Sequence, residues 1–504
     1  MSQWNEATRG ERPPVDELDE DDDAHELDED SLRGDEDKEN EGSSNQTSSL
    51  ESSERKRSRR EAKEDKRRLK RQRITEYYMM SYHAMPASMS MFHMAKQAKG
   101  QQNLHNVLWL AAVGLLGYVE LGLMGEEQYN KLVWQQLKEA LDSVDDSFNS
   151  TGSLRSTQGD SALSDDEEQD FIRPRAPPKE KKLRFDNDLR LTLYKHWSLE
   201  ESMLHSPYFY AAMSLHWDAG IRAMKNFFAT AGMAPSEYRQ YFRYMEAPTR
   251  RAVRGNFTKH GKAYGLTEDR MFLDQFVQDV GVQSHENLVS PQVSSLDAVH
   301  MLQALLCGSG NDQELVKRAD GKPDFEAIEQ NRREEQIHNF YRAYDAALCD
   351  RPGLFKEGVG QAVDIAKAVQ TLARQIRDTK GAIKVAGTKK FRWTRIDQPP
   401  TVFRHPLAAR KLVVWLSQTI FAYCSKRPHE LPLLVVIRDG PMDSYLCVGI
   451  TPPSISDVDE FGATFRHAIQ ATQNLQYRWD FFDKSCIAIA ADDIDRFLTA
   501  ITNR

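Results

Sequence analysis

The stretch Leu189–Met203 reads LRLTLYKHWSLEESM, and its reading decides how the chain is organised. Leu189, Leu193 and Trp197 fall at i, i+4 and i+8, the spacing of one helix face. Leu189, Leu191 and Leu193 also satisfy strand alternation, so periodicity leaves both open. Ser198 followed by Glu201 is a capping-box pair and predicts that a helix starts there. By spacing alone the segment is a buried corner between two helices.

Downstream, 182–306 reads as mainly helical and dense in aromatic residues and methionine, with Tyr208, Phe209, Tyr210, Trp217, Phe227, Phe228, Tyr238, Tyr241, Phe242 and Tyr244. Most of these belong in a core, and some suit a docking surface. A polar break at Gly308–Pro323 precedes helices over Phe325–Leu348 and Gly360–Asp378. Strands follow at Ala382–Val385, Lys390–Ile396, Leu431–Arg438, Ser444–Ile450 and Lys484–Ala490, all β-branched or aromatic in character. Helices over Leu407–Tyr423, Asp457–Thr472 and Asp492–Ile501 alternate with them, the pattern of an α/β domain with a mixed sheet.

Upstream, Gln101–Met124 and Gln128–Leu141 read as helices. Val107–Val119, VLWLAAVGLLGYV, is broken by Glu120 and falls short of the ~20 apolar residues of a membrane span, so it predicts a buried helix and no membrane association. Residues 142–181 are a Ser/Asp/Glu-rich linker ending in RPRAPP. Its Ser164 precedes four acidic residues and is a candidate site for an acidophilic kinase.

The 504-residue chain carries a formal net charge of −9, unevenly spread. Asp16–Glu41 holds 16 acidic and 2 basic residues, whereas Arg55–Arg73 holds 12 basic and 3 acidic. The remainder is nearly neutral, so bulk charge predicts no nucleic-acid partner for it. Residues 1–54 lack the apolar content needed to offset ordering entropy and are expected to be disordered. Residues 55–73 form a basic arm with clusters Lys56, Arg57, Arg59, Arg60 and Lys66, Arg67, Arg68, Lys70, Arg71, Arg73. The arm suits a nuclear localisation element, a phosphate-contacting arm or a solvated charged helix.

Five scattered cysteines, Cys307, Cys349, Cys424, Cys447 and Cys486, form no CxxC pair, which points to a reducing compartment and away from a zinc cage. There is no DHH triplet, HExxH, P-loop or GxSxG elbow. Gly358-Val-Gly360 is an incomplete dinucleotide motif inside a helix and reads as packing or helix entry. The residues therefore nominate no catalytic, cofactor or metal site.

Several blocks in order resemble the cell division control protein 45 family: the acidic and basic blocks, Ala87-Ser88, the Leu189–Met203 signature, and LPLLVVIRDG, YLCVGITPP and Phe461–Ile469 near the C-terminus. The resemblance implies a truncated DHH-like α/β portion over 74–141, a helical interdomain insertion over 182–306, a helical connection over 307–353, and a C-terminal α/β domain over 354–504 similar to the accessory domain of DHH phosphoesterases. It implies that most of the first domain's sheet is missing, since the acidic linker follows Met1 almost at once. It further implies a nuclear, non-catalytic replication factor that binds the MCM ring and GINS, with single-stranded DNA at forks as a further partner. Docking is expected around Leu189–Tyr244, with Tyr194, His196, Trp197, Tyr208 and Phe209 as candidates.

Overall fold

The computed structural model describes residues 64–75, 81–82, 85–98, 104–143, 183–279, 292–308, 324–386, 390–423, 431–456, 458–479 and 483–502. The acidic segment 1–54, Lys56, Arg57, Arg59, Arg60, Ser164 and Cys424 lie outside them. The chain divides into two compact units, Met1–Ser81 and Tyr82–Arg504. In the first, residues 64–75 form a helix whose side chains are mostly exposed.

In the second unit, the apolar run of the sequence is the helix Leu104–Glu120. Leu108, Trp109, Leu115 and Leu116 are almost wholly buried, as its length and composition predict. It packs against Ala87–Gln97 and Ser295–Cys307. No described helix is long and apolar enough to cross a membrane.

The region 182–306 is mainly helical, as expected, but also carries a sheet that the sequence reading did not place. Leu183–Leu189, Phe272–Asp279 and Gln292–Ser294 form an antiparallel sheet with Phe272–Asp279 in the middle. LRFDNDL and FLDQFVQD lie almost ninety residues apart in sequence, so the pairing that makes them strands is not a local signal. Within Leu189–Met203, Leu189 ends the first strand and residues 192–197 form turns. Leu193 adopts φ +54°, so the i, i+4, i+8 spacing does not mark a helix. A leucine in the left-handed region is strained and persists where packing over-determines it; Leu193 is fully buried. The helix predicted after Ser198 is present as Leu199–His205, with Ser198 Oγ accepting from the Glu201 amide at 3.2 Å.

The C-terminal region has the mixed α/β architecture expected. Its six strands lie in the order Tyr477–Arg478, Cys486–Ala490, Ser444–Ile450, Leu433–Asp439, Arg392–Ile396 and Lys384–Val385. All pairs are antiparallel except Arg392–Ile396 with Leu433–Asp439, and that parallel pair is joined through the helix Pro406–Tyr423. Parallel neighbours require such a crossover. Leu433, Val435 and Ile437 join one core with Leu412, Val413 and Leu416 of the crossover helix, while Leu434 and Val436 join another with Phe465 and Phe497. Both faces are covered, which is why LLVVI is an unbroken apolar run.

Two glycines mark close approaches. A Cβ on Gly358 would lie 2.5 Å from Met301 Cγ, so Gly358 serves helix packing, whereas a Cβ on Gly360 would meet nothing. A Cβ on Gly449 would lie 2.2 Å from Phe461 Cγ, at the seat of the helix Phe461–Ala471 on the sheet. Gly449→Ala should therefore destabilise the protein by about 1–3 kcal/mol through overpacking, read as a lowered denaturation midpoint.

Candidate functional site

The signature turn is held by buried polar groups from four parts of the chain. Asp188, at the end of its strand, is 5% exposed. Its carboxylate accepts from the Leu189 amide at 2.8 Å, the Tyr194 hydroxyl at 2.8 Å and Lys195 Nζ at 2.6 Å. Burial and the Asp188 charge push the Tyr194 hydroxyl well above its ordinary range, so it remains a donor. The Thr192 carbonyl accepts from Trp197 Nε1 at 2.8 Å and from the Ser202 hydroxyl, and the Thr192 amide donates to Ser206 Oγ at 2.7 Å. The backbone of one residue thereby joins the turn to the following two helices.

His196 faces Asp297 on the helix Ser295–Cys307, with Nε2 and Oδ2 3.4 Å apart. Burial raises the Asp297 carboxyl, but His196, Lys195 and a Ser294 hydrogen bond outweigh it and hold the group below its ordinary value. One helical turn on, His300 Nδ1 lies 3.2 Å from Lys411 Nζ of the crossover helix, and its Nε2 lies 3.7 Å from Glu120. Burial and the Lys411 ammonium lower His300 to about 3, so near neutral pH it accepts from Lys411 through Nδ1. Glu120, raised by burial, is opposed by Arg190 and Lys411, and Arg190 also pairs with Glu126. The network spans the signature, the Leu104–Glu120 helix, the Ser295–Cys307 helix and the crossover helix.

The arrangement suits a structural junction. Its carboxylate–imidazole contacts are two-membered: Asp297 with His196, Glu120 with His300, and Glu201 with His205. Among the described residues no three His, Cys, Asp or Glu side chains form a group that could hold a metal ion. The donor set does not fit the metal pair of a DHH phosphoesterase, and no hydrolytic step follows from it.

The expected docking residues are mostly interior. Tyr194, Trp197 and Phe209 are 7%, 4% and 0% exposed, which corrects their assignment to a docking surface. Trp197 packs against His205 and Phe209 against Phe257, because the apolar signature supplies core between the insertion and the rest of the unit. His196 faces inward onto Asp297. Tyr208 is half-buried, and its hydroxyl accepts from the Thr267 amide at 2.8 Å. On the basic arm, Lys66, Arg67, Arg68, Arg71 and Arg73 are exposed on their helix, Lys70 is half-buried, and Arg68 pairs with Asp65 at 3.2 Å.

Among the described residues, one helix carries an exposed apolar face that the sequence reading did not single out. On the helix Phe325–Ala346, Ile337, Phe340, Tyr341 and Tyr344 are 58%, 54%, 62% and 70% exposed. Their i, i+3, i+4, i+7 spacing is legible in sequence but ordinarily signals burial. The helix instead buries Ile328, Asn339, Ala343 and Ala346, and anchors to the sheet through Arg332, whose guanidinium donates to both Asp439 oxygens at 2.6 and 2.8 Å.

Two predictions follow from the junction. Trp197→Ala should cost about 3–5 kcal/mol in chemical denaturation. His205 and His405 are held by burial at about 4, as His300 is at about 3, against an ordinary 6.5. The unfolded state thus takes up imidazole protons that the folded state refuses. Stability should be fully present above pH ~6.5 and fall as pH drops towards ~4, with Glu120, raised by burial, contributing in the opposite direction, read as denaturation midpoints.

The CDC45 family model matches residues 2–504. The chain is 23% identical to the cell division control protein 45 homolog of Schizosaccharomyces pombe, over 85% of this chain and 66% of that protein. It is 25% identical to the cell division control protein 45 of Saccharomyces cerevisiae, over 85% and 63% respectively. The chain thus spans somewhat under two thirds of these relatives' length. Its fold is similar to the crystal structure of CDC45 from Entamoeba histolytica, with TM-score 0.56 and 16% identity over 82% of this chain and 71% of that one. With the family model matched from one end to the other, the chain belongs to the CDC45 family.

Proposed function

We propose that this protein is a nuclear DNA replication factor acting at initiation and at forks as a non-catalytic subunit that docks on the MCM ring and GINS. Family membership supports the replication role, and the exposed aromatic face of Phe325–Ala346 is the observation that favours docking. Solvated aromatic rows are costly, and aromatic residues dominate the energetic centres of interfaces. Arg332 and the Trp109 Nε1 bond to the Ala347 carbonyl at 3.0 Å hold this helix in place, so the face is preorganised. In this reading the fold is a degenerate relative of the DHH phosphoesterases that keeps a scaffold and leaves ATP hydrolysis to the ring.

A second reading, a nuclear single-stranded nucleic-acid-binding protein, is favoured by the exposed basic helix 64–75. Counterion release would give steep salt dependence, removed with residues 55–73.

Docking is tested with purified MCM and GINS on size-exclusion chromatography. The full chain should co-elute with both. Phe340→Ala/Tyr341→Ala/Tyr344→Ala should weaken co-elution by at least tenfold while leaving the denaturation midpoint nearly unchanged, as removal of exposed hot-spot rings predicts. Failure of the unaltered chain to retain either complex would overturn the docking reading.

A further inference from the structure

The helix Glu126–Leu132 continues into a π-helical segment, Val133–Lys138, a winding that recurs at functional sites. Trp134 on this segment is 46% exposed. It meets Phe185 of the strand Leu183–Leu189, with ring centroids 5.2 Å apart and planes at 69°. The Lys138 ammonium lies over both rings, 3.5 Å from the Trp134 centroid and 4.9 Å from that of Phe185. Among the described residues no carboxylate pairs with Lys138, so the rings are its partners.

Both rings are held by the fold. Phe185 stands opposite Phe276 in the strand register, with centroids 5.5 Å apart, and Phe276 is fully buried. Trp134 Nε1 donates to Asp274 Oδ2 at 2.6 Å, and Asn187 Nδ2 donates to Oδ1 at 2.6 Å. The Tyr129 hydroxyl donates to the Asp274 carbonyl at 2.7 Å. Asp274 thus fixes the indole and adds a negative charge at its edge. Two ring faces and a carboxylate attract a cation and repel an anion. An unmodified lysine ammonium is strongly hydrated and gains little by leaving water for a ring. Methyl groups spread the same charge over a weakly hydrated surface that rings contact directly, the chemistry of aromatic cages. The exposure of Trp134 opens the seat to a side chain carried on another protein.

We propose that Trp134, Phe185 and Asp274 form a binding site for the methylated ammonium of a trimethyl-lysine on a partner protein, and that Lys138 occupies it in the free chain. Binding moves Lys138 into solvent, which its flexible four-carbon stem permits. Tethered beside the rings, Lys138 has a high effective concentration, so an unmethylated lysine from a partner does not displace it. A methylated one does, because it gains more from the rings and loses less hydration. This binding belongs to the purified chain and does not depend on docking to MCM or GINS.

The test is fluorescence anisotropy of the full-length chain with a labelled Gly/Ser peptide bearing one trimethyl-lysine. The same peptide with unmodified lysine, and with the uncharged tert-butyl isostere, are the comparisons. The unaltered chain should prefer the trimethylated peptide about fivefold or more. Lys138→Ala should bind that peptide about tenfold tighter than the unaltered chain and keep the preference. In the Lys138→Ala background, Trp134→Ala should abolish the preference, Trp134→Phe should restore part of it, and Asp274→Asn should weaken binding about threefold. The ratio of methylated to unmodified affinity is not moved by a merely structural role, and Phe185→Leu removes the second ring if Trp134→Ala does not fold. The proposal is overturned if Lys138→Ala binds the trimethylated and unmodified peptides alike, which would leave Lys138 as a staple between helix and strand. It is equally overturned if the uncharged isostere binds as tightly, which would make the face apolar only. Choline binding without any binding of the trimethylated peptide would also overturn it, by making the ligand a small quaternary ammonium.

Discussion

Burial of the Asp188 and Asp297 carboxylates is the constraint on which the rest of this structure depends. Each is nearly inaccessible, and a buried charge survives folding only with counter-charges and donors supplied to it. Asp188 takes them from Tyr194 and Lys195 of its own turn, and the Asp297 carboxylate from His196 and the Ser294 side chain. Meeting both demands at once brings the strand Leu183–Leu189 beside the helix Ser295–Cys307 and closes the turn around Thr192. It also accounts for Leu193 at positive φ: the residue sits between the strand's carboxylate and the groups that satisfy it. A wholly apolar junction could be as stable, but it would specify the position of the turn less sharply.

From that junction the network extends to the C-terminal sheet. His300, one turn beyond Asp297, meets Lys411 on the crossover helix, whose other residues form the core against Val435 and Ile437. Glu120 and Arg190 bring in the N-terminal helices. Regions that read in sequence as an insertion and a C-terminal domain share one hydrophobic core from Leu189 to Cys486. That continuity gives surface elements a firm base.

The two surfaces that carry function in our reading are inversions of the usual pattern. Ile337, Phe340, Tyr341 and Tyr344 occupy core spacing on a helix and face outward, while the aromatic signature that looked like a docking site faces inward. Lys138 seats on two rings where a surface lysine ordinarily faces water or a carboxylate, and those rings come from a helix and a strand well separated in sequence. Packing across that separation leaves no local motif to mark the site.

Much of the fold was legible because its signals are local. The strand Ser444–Ile450, the crossover helix and the Ser198 cap each depend on residues a few positions apart, and each is present where pattern places it. The sheet formed by Leu183–Leu189, Phe272–Asp279 and Gln292–Ser294 was not legible, because each strand is stabilised by partners remote in sequence. By itself, the sequence determined the family, the α/β character of the C-terminal region and the buried helix Leu104–Glu120, all of which rest on local pattern. Only the tertiary structure decided which aromatic residues meet solvent and which carboxylates are buried, since exposure belongs to the packing of many segments and to no single one.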